Sequence, residues 1–420
     1  MLSISISKNL KTMSIVEKKS LYFAIKETQM IPHEEMLEKQ RKRQSMSIGI
    51  PKEVDDTEFR TPLTPQGVQI LTDNGHKVIL ESGAGNGSNY FDIDYSEAGA
   101  IITELKEIIF ESDIILKISP PTPEEVPLLK PNQLLLSYLY MQKQDADSIR
   151  ALMNRKVNAI AFEFVKDEHE SYPVLRSMSE IEGCASISIA SEYLSKANGG
   201  KGVLLGGITG VSPAEVVIIG AGTAGEFATR AALGFGCHVK VFDNSYHNLW
   251  QLEHNAGQRL FTSVLHPQAV HKALKSADAV ISSLRYFDNK SDFFITEEQI
   301  SEMKPGSVIV DLSVGNCDCF EMPSYARSCK TPIITDNGVI IYSASNISSR
   351  FARTATIALS NIFTRVLLQL ADSEGFHQLI KENMNVGNGT YIYKGILTNN
   401  YIGRHFNIPY KDIGLLMAAF

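Results

Sequence analysis

The sequence predicts a doubly wound α/β protein with a mostly parallel sheet. Short apolar, β-branched runs of strand length alternate along the chain with segments whose apolar residues have helical spacing. One run, at residues 216–219, ends directly at a cluster of glycines, and a helical segment and a second apolar run follow it. This alternation is typical of parallel strands joined by helices that cover both faces of a sheet.

Length and composition are those of a large globular protein. The chain has 420 residues, enough for two or three domains, and 44% of them are hydrophobic and 21% charged. A net charge of −7 argues against nucleic-acid binding through bulk charge. Neither a signal peptide nor an apolar run of membrane-spanning length is evident. We therefore expect no nucleic-acid partner and no membrane span.

The cysteines are few and scattered. There are five, an odd number, so we do not expect a disulfide framework. We expect a reducing compartment, the cytoplasm. Cys317 and Cys319 are two residues apart, but the further ligands that zinc needs do not lie near them in sequence. We expect no metal site.

Regular elements begin after an N-terminal extension at residues 1–46. Thr64 can cap a helix that has Pro65 at its first position and stops near Gly75. A second helix is expected at residues 145–155. Strands are expected at residues 48–50, 76–81, 113–118, 133–140 and 159–165.

The second half of the chain continues the alternation. Ser177 and Glu180 have capping-box spacing and predict a helix to about residue 196, which a glycine-rich connector follows. Further helices are expected at residues 296–303 and 350–371, and after residue 374 the pattern weakens. Strands are expected at residues 216–219, 238–242, 277–284, 307–313 and 341–345.

The glycines after residue 219 have the spacing Gly-x-Gly-x-x-Gly. Gly220 allows a tight turn, Gly222 lets the backbone approach a pyrophosphate, and Gly225 lets helix and strand pack closely. The pyrophosphate would lie at the helix N-terminus, where free N–H groups and the dipole favour an anion. The alternative is an ordinary strand–helix turn. The predicted cofactor-binding residues of the turn are Gly220, Ala221, Gly222, Thr223, Ala224 and Gly225.

An acidic residue completes the dinucleotide motif. Asp243 follows the run at residues 238–242, where its carboxylate would accept hydrogen bonds from a ribose 2′-hydroxyl. The same carboxylate would repel a 2′-phosphate, and no Arg or Lys follows within a few residues. We therefore expect NAD rather than NADP.

Several stretches together resemble the alanine dehydrogenases and the NAD-binding subunit of proton-translocating transhydrogenase. They include Gly-Ile-Pro-Lys-Glu at residues 49–53, Glu-Phe-Arg at 58–60, Met-Ser-Glu at 178–180 and the glycine motif. The resemblance covers about residues 47–372.

The resemblance implies two Rossmann-like domains and a homohexamer. An NAD-binding domain, residues 174–353, would be inserted into a discontinuous substrate domain formed by residues 47–173 and 354–420. The implied reaction converts L-alanine, NAD and water into pyruvate, ammonia and NADH, or acts on a related amino or oxo acid.

Three residues match positions of known role in this family. Arg60 matches an arginine that binds the substrate carboxylate, a role its planar fork suits, so we expect a small carboxylate-bearing substrate and a guanidinium reachable from solvent. The alternative is an ion-paired arginine. Ser179 matches a serine that contacts NAD across the cleft, and Asn346 matches an asparagine near the nicotinamide. The alternative for Ser179 is a helix cap, and the alternative for Asn346 is a turn residue.

Other catalytic positions depart from the family pattern. Ser119 stands where the family has a substrate-binding lysine, and Lys117 lies on the same strand face but about 7 Å back. Tyr140 aligns with the catalytic histidine. A phenol is a poor base near neutrality, but it can donate a hydrogen bond or pack as a core aromatic. Gly315 replaces an aspartate, and Asp318 is nearby.

These departures predict slow or absent turnover of alanine. The loop at residues 285–289 also differs from the Pro-Gly turn that the family has near the nicotinamide. Two alternatives therefore stay open. One is a transhydrogenase-like NAD(H) hydride-transfer subunit, which needs neither the lysine nor the histidine, and the other is an NAD-binding protein without enzymatic activity.

Overall fold

The computed structural model describes most of the chain after residue 44. The described ranges are residues 45–141, 144–284, 295–313, 319–321, 332–343, 346–373, 375–382 and 384–419. The predicted extension at residues 1–46, apart from its last two residues, lies outside them. So do Gly315, Cys317, Asp318 and the loop at residues 285–289.

The strands of the described chain are numbered in sequence order. They are β1 (Ser47–Ile50), β2 (Lys77–Glu81), β3 (Ile101–Thr103), β4 (Ile114–Leu116), β5 (Leu134–Ser137), β6 (Asn158–Ala161), β7 (Glu215–Ile219), β8 (His238–Phe242), β9 (Phe261–Ser263), β10 (Ala279–Ser282), β11 (Val308–Asp311), β12 (Ile333–Ile334), β13 (Ile340–Ser343), β14 (Thr390–Tyr393) and β15 (Ile396–Leu397).

The α-helices are numbered in the same way. They are α1 (Pro65–Asp73), α2 (Asp92–Glu97), α3 (Lys106–Phe110), α4 (Ala146–Asn154), α5 (Pro173–Leu194), α6 (Thr223–Phe235), α7 (Tyr246–Ala256), α8 (Pro267–Ser276), α9 (Glu297–Ser301), α10 (Ala352–Asp372), α11 (Phe376–Glu382), α12 (Met384–Gly387), α13 (Asn400–Phe406) and α14 (Ile413–Ala419).

The strands form two sheets, each doubly wound. The first has the order β15-β14-β6-β5-β4-β1-β2-β3 and the second the order β12-β13-β11-β10-β7-β8-β9. Strands β1 to β6 are parallel, as are β7 to β11 and β13, whereas β12, β14 and β15 run antiparallel to a neighbour. The predicted fold class is confirmed.

The winding places a crevice at the carboxyl ends of two strand pairs. In the first sheet the chain moves outward from β1 to β3 and then returns to β4 beside β1, and in the second it moves from β7 to β9 and returns to β10 beside β7. Ligands of open α/β sheets bind where the strand order reverses in this way. Every residue of β10 and β11 is buried, as expected for parallel strands covered on both faces.

Local signals account for several helix boundaries. The Thr64 side chain accepts a hydrogen bond from the backbone N–H of Gly67, Pro65 occupies the first turn, and α1 ends at Asp73, as predicted. Asp145 caps α4 in the same way through the N–H of Ser148.

Three boundaries differ from the sequence prediction by three residues or more. Helix α5 begins at Pro173 rather than Ser177, because a proline at the first helical position needs no hydrogen-bond partner for its nitrogen. Strand β5 ends at Ser137, so Tyr140 lies in a loop with a φ of 43°. The segment Phe162–Phe164 is a 3₁₀ turn and not the continuation of β6.

The chain after residue 374 is more regular than its sequence suggests. Strand β14 pairs antiparallel with β6 and β15 pairs with β14, which extends the first sheet at its edge. The pattern is weak because all four residues of β14 are buried, so no polar alternation marks it as a strand.

Helix α10 is a core helix of the first sheet. Leu359, Phe363 and Leu367 belong to one buried cluster with Val68 of α1 and Ile48 of β1. By length and composition alone, the segment Ile347–Asp372 could cross a membrane, which the sequence analysis did not anticipate, but half of its most apolar window is buried in the protein.

Candidate active site

The glycine turn joins β7 to α6 and leaves the helix N-terminus open. Gly222 is the N-cap of α6, and no side chain caps the helix. Gly220 has a φ of 103°, which favours glycine, and a Cβ at position 225 would lie 1.8 Å from the carbonyl oxygen of Gly220. A Cβ at position 222, by contrast, would meet nothing within 4 Å. The open space at Gly222 therefore lets a pyrophosphate approach the N-terminus of α6, which no side chain caps.

A cleft of about 520 Å³ borders this turn. Its other wall is the beginning of α5, with Leu175, Arg176 and Ser179, and its floor is formed by the ends of β8 and β10. The predicted cofactor-binding residues that line it are Gly220, Gly222, Thr223, Ala224, Asp243 and Ser179. Ala221 and Gly225 complete the turn behind them.

Asp243 holds the glycine turn in place. Its Oδ2 accepts a hydrogen bond of 2.6 Å from the backbone N–H of Ala221, and its Oδ1 accepts one of 2.7 Å from Ser245. A carboxylate has about four acceptor sites, so these two contacts leave capacity for a ribose hydroxyl. The residues of the cleft thus fit a dinucleotide.

Ser179 lies in the second turn of α5, on the cleft wall. Its hydroxyl donates a 2.7 Å hydrogen bond to the carbonyl oxygen of Leu175, one helical turn earlier. In this arrangement the hydroxyl hydrogen is engaged within the helix, and the oxygen keeps capacity to accept a hydrogen bond from a cofactor. It is not a helix cap, which was the alternative reading.

Arg60 forms a buried ion pair with Glu58. The Nε and Nη2 atoms of Arg60 donate to Oε1 and Oε2 of Glu58, both at 2.7 Å. The exposed fractions of the two side chains are 3% and 1%. The expectation of a guanidinium reachable from solvent is therefore wrong, because Glu58, two residues earlier in the same loop, occupies one edge of the fork.

The other N–H groups of Arg60 also have partners. Nη1 donates to Oγ of Ser348 at 2.9 Å and contacts Sδ of Met178 at 3.3 Å, while Nη2 donates to the hydroxyl of Tyr140 at 3.1 Å. With the two bonds to Glu58, all five N–H groups of the guanidinium are used. Arg60 thus lies where α5, the 3₁₀ segment Ile347–Phe351 and the loop after β5 meet.

Asn346 contacts the same ion pair. Its Nδ2 donates a 2.8 Å hydrogen bond to Oε2 of Glu58. Asn346 begins the 3₁₀ segment without a side-chain capping bond, so its side chain satisfies Glu58 rather than capping a turn.

Tyr140 is a neutral phenol beside a cation. Burial raises its pKa above the ordinary value, and the nearby Arg60 only partly opposes that rise. Its ring centroid lies 4.2 Å from that of Tyr138. A raised pKa makes Tyr140 a still poorer base near neutral pH, and its hydroxyl accepts a hydrogen bond from Arg60.

Ser119 follows β4 at the point where the first sheet reverses its strand order. Its backbone N–H donates to Oε2 of Glu53 at 3.2 Å, and that of Ile118 donates to Oε1 at 2.6 Å. Burial raises the pKa of Glu53 to about 7, with the charge of Lys117 opposing the rise and that of Glu58 adding to it. Glu53 can therefore carry a proton near neutrality.

Lys117 does not take over the position of the missing lysine. Its buried ammonium lies 2.6 Å from Oε2 of the buried Glu125. This contact ties the side chain to a partner of opposite charge instead of pointing it past Ser119.

Sequence reasoning assigned no role to Glu53, Glu58 or Ser348. The first two stand inside stretches that match the family, which was a signal for them, but nothing in the sequence near Ser348 indicates its contact with Arg60. Among the described residues, no group of three or more His, Cys, Asp or Glu side chains could hold a metal ion.

Two family models match consecutive parts of the chain. The N-terminal domain of alanine dehydrogenase/PNT matches residues 49–182, and the C-terminal domain of the same family matches residues 186–400. These two stretches include both sheets and every residue of the candidate site that the structure describes.

Individual proteins extend this similarity. Alanine dehydrogenase 2 of Staphylococcus aureus strain USA300 is 36% identical over 368 residues, which are 88% of this chain and 98% of that protein. A solved L-alanine dehydrogenase superposes with a TM-score of 0.80 at 31% identity, covering 86% of this chain and 99% of the other.

A transhydrogenase from Sinorhizobium meliloti shares the fold. It has a TM-score of 0.71 at 22% identity, covering 84% of this chain and 99% of that one. Together with the family models and the alanine dehydrogenase relatives, the nucleotide cleft confirms the resemblance found in the sequence. The chain therefore belongs to the alanine dehydrogenase/PNT family and is an NAD-dependent oxidoreductase.

Proposed function

We propose that this oxidoreductase transfers hydride between NAD and a small amino or oxo acid whose carboxylate binds at Arg60, and that alanine is not an efficient substrate. The observation that carries the proposal is the position of the guanidinium. It contacts Met178, one residue before the cleft-lining Ser179, and it also contacts Tyr140 in the loop after β5 of the first sheet. A carboxylate held there lies next to the nucleotide cleft.

The residues of the chain divide the work. The turn at residues 220–225 would hold the pyrophosphate, and Asp243 a ribose. Bound NAD supplies the nicotinamide that accepts or returns hydride. Arg60 would orient the substrate carboxylate, and orientation of this kind can lower a barrier by about 7–11 kcal/mol. Glu53 would hold the exchangeable proton beside the backbone N–H of Ser119.

Alanine chemistry needs groups that Ser119 and Tyr140 do not supply. A serine offers no cation, and a phenol whose pKa is raised by burial offers no base. In assays with NADH, ammonia and a panel of oxo acids, we expect pyruvate to be turned over slowly or not at all. A pyruvate turnover number in the ordinary enzymatic range of about 1–10³ s⁻¹ would contradict this.

The role of Arg60 has a direct test. Replacing it with alanine removes a charge-assisted hydrogen bond, which should weaken binding of an oxo acid roughly ten- to 150-fold, or about 1.5–3 kcal/mol. NADH affinity should barely change, because the glycine turn belongs to the second sheet. Arg365→Ala, at an exposed ion pair, is the matched control. Unchanged oxo-acid binding by Arg60→Ala would refute the role.

A transhydrogenase-like activity is the second candidate. Hydride exchange between two nicotinamide nucleotides needs no acid–base group at the substrate, and the neutral Tyr140 is compatible with that. Hydride exchange between NADH and an oxidised nicotinamide analogue, in the absence of any oxo acid, would favour this candidate. Binding of NADH without turnover in either assay would favour a non-enzymatic role.

We also propose a domain division, an assembly and a location. A substrate domain at residues 47–173 and 354–420 and an NAD-binding domain at 174–353 are supported by the strand membership of the two sheets. A homohexamer in the cytoplasm follows from the family resemblance. Sedimentation velocity of the full chain would test the hexamer.

A further inference from the structure

Arg60 offers a ligand only one edge of its guanidinium. Glu58 takes the Nε–Nη2 edge with two bonds of 2.7 Å, as a bidentate carboxylate does. Nη1 and Nη2, which bound the other edge, have no carboxylate partner there: they donate to the hydroxyls of Ser348 and Tyr140, and Nη1 also contacts Sδ of Met178. A hydroxyl is a weaker partner for a guanidinium than a carboxylate is, so this second edge is the one that a ligand carboxylate can take.

Tyr140 lies between that edge and the solvent. Of the four residues that Arg60 contacts, three are buried, with whole-residue exposures of 7% for Glu58, 2% for Ser348 and 4% for Met178. Tyr140 alone is only partly buried. A ligand that approaches the guanidinium therefore meets the phenol first.

The position of the phenol is set by its loop. Tyr138 donates its backbone N–H to the carbonyl oxygen of Ile118 at 2.9 Å, and Leu139 donates its own to Oε1 of Glu163 at 2.8 Å. Tyr140 then adopts a φ of 43°, a conformation that costs a non-glycine residue energy, and its ring packs at a tilt of 33° against that of Tyr138. The hydrogen bonds on the two preceding residues hold this conformation, so the contact with Arg60 is part of the fold.

We propose that Tyr140 caps Arg60 and weakens the binding of a ligand carboxylate, because its hydroxyl competes for the guanidinium. The phenol hydroxyl must leave Nη2 before a ligand carboxylate can take the Nη1–Nη2 edge. The cap makes Tyr140 a specificity-determining residue. This inference rests on the proposed function, in which the ligand carboxylate binds Arg60.

The test is calorimetric titration of oxamate, a small carboxylate that resembles an oxo acid, into the full chain saturated with NADH. Tyr140→Phe removes only the hydroxyl and keeps the ring. We expect it to bind oxamate about tenfold or more tightly, because it leaves an N–H of Arg60 unsatisfied until the ligand arrives. Tyr138→Phe is the matched control. Its oxamate affinity should stay within about twofold of the wild type, because the change leaves every hydrogen-bond partner of Arg60 in place.

Each other outcome has a distinct meaning. Unchanged or weaker oxamate binding by Tyr140→Phe would overturn the cap, and so would an equal gain in Tyr138→Phe. If the gain persists in the double variant Tyr140→Phe with Arg60→Ala, the ligand does not bind Arg60 and the proposed function fails. The proposed function also fails if oxamate binds neither the wild type nor Tyr140→Phe. NADH affinity, measured on each variant, verifies the fold.

Discussion

Glu58 and Arg60 form a bidentate ion pair that is almost completely shielded from solvent, with side-chain exposures of 1% and 3%. The carboxylate is satisfied further by Asn346, and the guanidinium by Tyr140 and Ser348. Removing two charges from water is costly, and the cost is offset here by hydrogen bonds on every side of the pair. Removing either partner alone should therefore lower the stability of the fold, even where the variant still folds and binds NADH.

We expect Glu58→Ala to lower the free energy of unfolding by about 3–5 kcal/mol, because it leaves the Arg60 charge buried and uncompensated. The matched control is Glu168→Ala, which breaks an exposed ion pair with Arg365 and should cost less than about 1 kcal/mol. Urea denaturation of both variants measures the difference. Equal losses would mean that the buried pair contributes no more than a surface one.

Asp243 should make the protein select NADH over NADPH by at least about tenfold, since a carboxylate repels a 2′-phosphate but accepts from a 2′-hydroxyl. Calorimetric titration with the two nucleotides measures this, and equal or tighter binding of NADPH would contradict it. Asp243→Ala should weaken NADH binding for two reasons. It removes the acceptor for the ribose hydroxyl, and it removes the carboxylate that anchors the N–H groups of Ala221 and Ser245.

Two glycines of α6 should respond in opposite ways to a methyl group. A Cβ at position 225 would lie 1.8 Å from the carbonyl oxygen of Gly220, so Gly225→Ala must displace the turn and should abolish NADH binding. A Cβ at position 234 meets nothing within 4 Å, and Gly234→Ala should stabilise the helix by about 0.5–1 kcal/mol. Thermal unfolding and NADH titration of both variants check this. Normal NADH binding by Gly225→Ala would disprove close packing at the turn.

Glu163 should make stability depend on pH. Burial raises its pKa to about 8, while the N–H of Leu139 opposes the rise. Between its ordinary pKa of 4.5 and pH 8, the folded state holds a proton that the unfolded state has lost, so stability falls as pH rises through this window. A tenfold change in proton affinity is worth about 1.4 kcal/mol, so the loss reaches several kcal/mol.

The variant Glu163→Gln cannot ionise and still offers Leu139 an acceptor. We expect it to be more stable than the wild type at pH 8.5 and nearly equal to it at pH 5, in denaturant unfolding at the two pH values. The surface variant Glu168→Gln serves as control and should show no such difference. A stability gap for Glu163→Gln that is the same at both pH values would contradict the protonated state of Glu163.

Features that depend on neighbours in sequence were predictable. The turn from β7 into α6 lies within one short segment, so the residues that form the tight bend and the open helix N-terminus are adjacent in the chain. The cap of α1 by Thr64 is local in the same sense. Backbone preferences and capping hydrogen bonds act over a few residues, which is why a sequence pattern alone can specify them.

The surroundings of Arg60 were decided by tertiary packing. Its partners Tyr140, Met178 and Ser348 are 80, 118 and 288 residues away in sequence, so no local pattern could bring them together. Glu58 is only two residues away, but the sequence is equally compatible with an arginine that faces a ligand and one that faces its neighbour. Burial decides between the two arrangements, because a guanidinium removed from water is stabilised by pairing with a carboxylate, and Glu58 is within reach.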